Sequence, residues 1–170
     1  QEKGLVEVND LDVKHTNNIL FRIGKNSTTY SEKLTVNFNN LDIQSTSYQK
    51  DNGLIQAGYV AMNLDMNMRG VKLEWTSTSN IKTGAITSGN VSTPTLNLTM
   101  NACNLDVSNA PGAKVIYAKT GVTGAIDFEK TTVTTSGVNV IEDGDMTLSI
   151  DKDSKFYHGE TQSVALVDSV

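Results

Sequence analysis

Apolar and other residues alternate with a period of two along most of the chain. Val60, Met62, Leu64, Met66 and Met68 take one parity and Ala61, Asn63, Asp65, Asn67 and Arg69 the other, as in a strand with one face in a core. The alternation returns in Leu34, Val36 and Phe38, and in Leu96, Leu98 and Met100. It also returns in Val71, Leu73 and Trp75, offset by Gly70, which reads as a bulge or tight bend. Further strands are predicted over residues 19–23, 54–59, 114–118, 124–128, 131–141, 145–150 and 162–170. No stretch of ten or more residues has helical periodicity, and Gly, Asn, Asp and Ser fill the joints. The chain is predicted to be all-β.

One tetrapeptide recurs: Asp10-Leu11-Asp12-Val13, Asn40-Leu41-Asp42-Ile43, Asn63-Leu64-Asp65-Met66 and Asn104-Leu105-Asp106-Val107. At three copies the inward parity changes. Val6 and Val8 give way to Leu11 and Val13, Val36 and Phe38 to Leu41 and Ile43, and Leu98 and Met100 to Leu105 and Val107. The third copy has no such shift. A slip of one residue turns every side chain to the other face. A strand that changes parity over a polar residue therefore needs a bulge, or a corner where it passes to another sheet. Asn9-Asp10, Asn39-Asn40 and residues 101–104 suit that role, because Asn and Asp tolerate left-handed backbone.

The copies are thus expected to mark equivalent bends, with their aspartates facing solvent. The functional rival is that Asp12, Asp42, Asp65 and Asp106 form an acidic ladder for Ca²⁺. The copies lie 30, 23 and 41 residues apart, and a regular solenoid would keep a constant period. Two packed sheets accommodate unequal spacing more easily. The expected architecture is a bent-strand β-sandwich, jelly-roll-like with β-bulges, in a single domain spanning 1–170. An irregular β-solenoid is the alternative.

Composition narrows function by exclusion. The net charge is -5, the pI is near 4.9 and basic residues form no cluster, which argues against nucleic acid. No apolar run approaches the roughly 18 residues of a membrane helix. The start at Gln1 suggests processing, and the single Cys103 rules out an internal disulfide. Small eukaryotic secreted domains are usually disulfide-rich. The expected location is therefore extracellular or at the cell surface, after export from a prokaryote.

Catalytic chemistry is thin. His15 and His158 are far apart, neither has a partner at metal-ligand spacing, and Cys103 reads as a small, partly buried apolar residue. Residues 24–28 lack the preceding glycine and following helix of a phosphate-binding loop. The best metal candidate is the acidic group Asp143, Asp145, Asp151 and Asp153, which a hairpin would gather for Ca²⁺. No other cofactor is expected, and the chain is not expected to be an enzyme. Trp75 sits on a core alternation, so no set of exposed rings offers a sugar platform.

Two features suggest assembly. Residues 83–113 carry Asp106 as their only charge, which suits either a surface covered by another subunit or a packed interior. Both ends of the chain read as strands, and residues 1–13 and 162–170 are candidates for exchange between subunits. In size, polarity and strand-like ends the chain resembles secreted β-rich filament subunits, such as prokaryotic pilins and matrix-fibre proteins, without sharing a family-specific motif. The expectation is a structural protein that polymerises with copies of itself by strand exchange or edge pairing. Leu5, Val6, Val8, Val164, Leu166, Val167 and Val170 are its predicted interface. The alternative is a monomeric glycan- or Ca²⁺-binding module.

Overall fold

In the computed structural model, the parity change at Asn39 and Asn40 is a corner between two sheets. The structure describes residues 4–16, 18–24, 33–48, 52–58, 63–88, 95–136, 141–142, 145–158, 161–162 and 167–168. The first circuit of the chain is β1 (Gly4–Asn9), β2 (Asp12–His15) and β3 (Phe21–Arg22). The second is β4 (Lys33–Asn39), β5 (Asp42–Ser45) and β6 (Ile55–Ala57), and the third is β7 (Asn63–Arg69), β8 (Lys72–Trp75) and β9 (Gly84–Ser88). Then come β10 (Thr95–Asn101), β11 (Asn104–Asp106) and β12 (Lys114–Tyr117), followed by β13 (Thr123–Glu129), β14 (Thr132–Thr135) and β15 (Ile141–Glu142). The last elements are β16 (Asp145–Ile150), β17 (Lys155–His158), β18 (Thr161–Gln162) and β19 (Val167–Asp168).

Each circuit stacks on the one before, which builds three sheets. Sheet A runs β1-β4-β7-β10-β13-β16, sheet B runs β2-β5-β8-β11-β14-β17-β18, and sheet C runs β3-β6-β9-β12-β15-β19. The pairings are parallel except for β18 on β17. Among the described residues there is no helix. The fold is a β-solenoid, the alternative architecture, and the expected two-sheet sandwich is replaced by it.

The physical reason is that the loops absorb the irregularity. Equivalent positions lie 30 residues apart from Leu34 to Leu64, 32 from Leu64 to Leu96, 28 from Leu96 to Gly124 and 22 from Gly124 to Met146. The strands stay in register while the connections change length. The recurring tetrapeptide misstates the period because its copies are not all equivalent. The first two coincide at the corner, the third lies in β7 of sheet A, and the fourth begins two positions past the corner.

One left-handed residue marks each of the first five turns from sheet A to sheet B. Asp10, Asn40, Gly70, Ala102 and Lys130 stack in one column with φ of 53°, 55°, 62°, 53° and 49°. Gly70 is therefore the third corner of this series. The ladder continues through the turn: the amides of Asp10, Asn40, Gly70 and Ala102 donate to the carbonyls of Asn39, Arg69, Asn101 and Glu129 at 2.8–2.9 Å. Asn40 also donates from Nδ2 to Asp10 Oδ1 at 3.0 Å. Because the corner residue drops out of the alternation, Val36, Phe38, Leu41 and Ile43 all point inward.

The core is a set of columns. Phe38, Met68, Met100 and Phe128 stack in sheet A, Ile43, Leu73, Leu105 and Val133 in sheet B, and Ile55, Ile86, Ile116 and Ile141 in sheet C. All are buried, and each stabilises the fold by roughly 1.5–3 kcal/mol. Trp75 is fully buried, with Nε1 donating to the Ser47 carbonyl at 2.9 Å. More than half of the described residues in the charge-poor stretch are buried. Every residue of β9 is buried, Thr83 and Thr87 hydroxyls lie 2.8 Å apart, and Ser88 Oγ accepts from the Lys119 amide.

Two substitutions test this account. Lys130 holds a left-handed conformation that glycine adopts without strain, and its amide bond to Asp151 Oδ2 survives the change. Lys130→Gly should raise stability in urea denaturation by about 1 kcal/mol. Gly124 has φ 138°, and an added Cβ would collide with the Leu96 carbonyl of the neighbouring strand. Gly124→Ala should lower stability by more than about 2 kcal/mol. Equal midpoints for both variants and the parent would contradict the corner and register described.

Candidate functional site

The end of the solenoid at β1, β2 and β3 has no strand beyond it among the described residues. Here the inward columns reach the surface. Val6 is 45% exposed and Leu11 41%, whereas the residues stacked on them in the next circuit, Val36 and Leu41, are each 2% exposed; Leu5, 59% exposed, lies on the outer face, stacked on Thr35. A recess of about 250 Å³ opens between sheets A and C, lined by Val6, Val8, Phe21, Ile23, Val36 and Phe38. The Phe21 and Phe38 rings meet at 5.0 Å. A stack of repeats normally ends in a polar-faced cap, and this end presents core side chains instead. The β1 backbone also presents one unpaired set of N–H and C=O groups, the template for another strand.

The opposite end differs. Antiparallel β18 covers sheet B there, with Tyr157 opposite Gln162 and His158 opposite Thr161. In sheet A the last strand is β16, whose Met146 and Leu148 are half-buried and whose Ile150 is 38% exposed. β1 and β16 have the same length and the same inward alternation.

The predicted interface residues divide accordingly. Leu5, Val6 and Val8 lie on β1, at the open edge, and residues 4–15 form strands within the chain's own first circuit. Val167 lies in β19, paired with Ile141 of β15. Val164, Leu166 and Val170 fall outside the described residues.

The carboxylates do not gather as expected. Of the proposed ladder, Asp12 is stacked on Asp42, Asp65 lies in sheet A between Lys33 and Asn97, and Asp106 lies beside Glu74. In the second acidic group, Asp143 falls outside the described residues. Asp145 opens β16 and Asp151 follows its end, about 20 Å away for a strand rising ~3.3 Å per residue. Asp151 instead braces the fifth corner, where its Oδ2 accepts the Lys130 amide at 3.0 Å and its Oδ1 the Ser154 hydroxyl at 2.7 Å. The Ser154 hydrogen bond holds this carboxyl below the usual carboxylate range. Asp153 pairs with the neighbouring Lys152. Among the described residues, no group of three or more His, Cys, Asp or Glu side chains converges to hold a metal ion.

His15 and His158 occupy opposite ends of sheet B, four intervening strands apart. His15 Nδ1 lies 3.0 Å from Ser45 Oγ. Cys103 is buried just inside the fourth corner, its thiol against the carbonyls of Met68 and Asn101. Burial raises its pKa, which disfavours the thiolate a nucleophile needs. The sequence pattern singles out Leu5, Val6 and Val8 as a terminal strand, but the recess beside Val6 and Val8 joins Phe21 and Ile23 to Val36 and Phe38 across distant segments. No helix among the described residues is long and apolar enough to cross a membrane.

Compared with protein families, with curated proteins and with solved structures, the chain finds no match.

The Cys103 environment gives a direct check. At neutral pH the folded chain should react with a thiol-specific disulfide reagent at least about a hundredfold more slowly than the urea-unfolded chain. Comparable rates in the two states would show that the corner is open.

Proposed function

We propose that this chain is a structural β-solenoid that assembles end to end with copies of itself, extending its sheets by edge pairing. The observation that carries the reading is the open first circuit, with Val6 and Leu11 exposed and Val6 and Val8 lining an apolar recess that reaches the buried Val36 and Phe38. Burying such a patch is favoured by roughly 25 cal/mol per Å², and strand addition satisfies the unpaired backbone at once.

The occupant favoured is the β16 end of a second copy. The register of sheet A, continued by one strand, brings Met146 against Gly4, Leu148 against Val6 and Ile150 against Val8. Large residues on one edge then meet small ones on the other. Such a contact is head-to-tail and does not close on itself, so it generates a filament. Edge pairing replaces strand exchange in this reading, because residues 4–15 already belong to their own sheets. A structural role at the surface of a prokaryotic cell fits a solenoid whose described His, Cys, Asp and Glu side chains do not converge in threes or more, and the reading asks no turnover chemistry of the chain.

The test uses light scattering and negative-stain microscopy on the purified chain and two edge variants. The parent should form rods whose length grows with concentration. Val6→Asp and Ile150→Asp each place a carboxylate at an already exposed edge position and should each remain monomeric. Mixed in equal amounts, they should give dimers and stop, since each retains one competent end. A parent that stays monomeric at all concentrations overturns the proposal. Dimers of Ile150→Asp alone would show that two open ends pair with each other, which also overturns it.

A further inference from the structure

Sheet B carries two outward columns of side chains. One runs Asp12, Asp42, Lys72 and Asn104, and the other runs Lys14, Gln44, Glu74 and Asp106, with successive members on neighbouring strands. Two hollows of about 180 and 150 Å³ lie over these columns and share Asp42 and Gln44, so they form one trough crossing β2, β5, β8 and β11. Leu73 and Val13 also line it.

The polar groups of this trough behave differently from those of sheet A. On sheet A the outward side chains bond one another along the stack: Asn67 donates to Asn37 at 2.9 Å, Asn39 to Asn9 at 2.8 Å and Asn97 to Asp65 at 2.8 Å. On sheet B the side chains of Asp42, Gln44, Lys72, Glu74 and Asn104 make no hydrogen bond or ion pair among the described residues, although the strand spacing is the same. Lys72 is stacked on Asp42 and still forms no bridge to it. Asp106 is tied only to Ser108 among the described residues. The trough thus holds donors and acceptors in two parallel rows, repeating at about 4.8 Å, with their capacity unspent.

From this contrast we infer that the sheet B trough binds a linear neutral polysaccharide laid across the strands. Carboxylates accept from sugar hydroxyls, while the Lys72 ammonium and the Gln44 and Asn104 amides donate to hydroxyl and ring oxygens. The mixed signs fit a neutral chain. Asp12, Asp42, Glu74 and Asp106 against Lys14 and Lys72 would repel a nucleic acid. A peptide strand gains its affinity from a sheet edge, and this trough lies on a sheet face. The second column continues through Thr134 to Tyr157, a half-buried ring at which a sugar face can stack. The inference is independent of end-to-end assembly, because β1 and β16 of sheet A contribute nothing to the trough.

The experiment is native affinity electrophoresis of the full chain in gels containing, in turn, a soluble β-glucan, a galactomannan, a xylan, amylose and poly-L-lysine. At least one neutral polysaccharide should retard the parent. The double variant Lys72→Ala/Glu74→Ala should weaken that retardation at least about tenfold in apparent Kd, as expected from losing charge-assisted hydrogen bonds. Asn67→Ala, on the outer face of sheet A, should bind like the parent. The substituted residues are solvent-facing, and unchanged circular dichroism and melting temperature confirm that each variant folds. No retardation by any neutral polysaccharide overturns the inference, as does equal binding by the double variant. Retardation by poly-L-lysine alone, abolished by salt, assigns the trough to plain charge attraction and overturns it too.

Discussion

An alternating strand cannot turn a corner and keep the same face inward unless one residue leaves the alternation. In this chain that residue sits in the left-handed region at Asp10, Asn40, Gly70, Ala102 and Lys130, one in each of the first five circuits. The conformation costs an L-residue about 1–2 kcal/mol, less for Asn and Asp and nothing for Gly. Stacking makes the cost bearable: each corner amide from Asp10 to Ala102 bonds the next circuit, so sheets A and B share one uninterrupted hydrogen-bond system. Lose the corner, and either Phe38 or Ile43 must face water.

In-register stacking then decides where chemistry can and cannot arise. Like residues lie on like, so the interior becomes columns of Phe and Met, of Ile, Leu and Val, and of Ile. Polar side chains are confined largely to the outer faces, where neighbours in a column stand about 4.8 Å apart. On sheet A that spacing lets Asn and Asp satisfy one another, and the face closes on itself. On sheet B the side chains of Asp42, Gln44, Lys72, Glu74 and Asn104 make no such bonds among the described residues. The same repeat thus builds one face whose amides bond along the stack and one whose polar groups do not.

Parallel stacking also fixes the character of the ends. A closed barrel has no edge, but a solenoid has two, and neither can be hidden by the repeat itself. At one end sheet B is finished by antiparallel β18. At the other, Val6 and Leu11 stand where the next circuit keeps its core. The asymmetry gives the rod a direction.

The sequence by itself determined the strands, their faces and the existence of corners. Alternation at residues 34–38, 63–69 and 96–100, and the parity change over Asp10 and Asn40, are local properties that the backbone must obey whatever its neighbours. It also placed Leu5, Val6 and Val8 on a terminal strand and read Cys103 as a small, partly buried apolar residue. It did not determine which strands lie side by side, because parallel pairing joins residues about 30 apart through loops of variable length. For that reason the tetrapeptide copies looked equivalent when only Asp10–Val13 and Asn40–Ile43 were. The acidic residues at 143–153 looked gatherable until a parallel β16 held Asp145 and Asp151 at its two ends. The sheet B trough has no local signature at all. Asp42, Lys72 and Asn104 become neighbours only when register stacks three circuits, and register is a property of the whole fold.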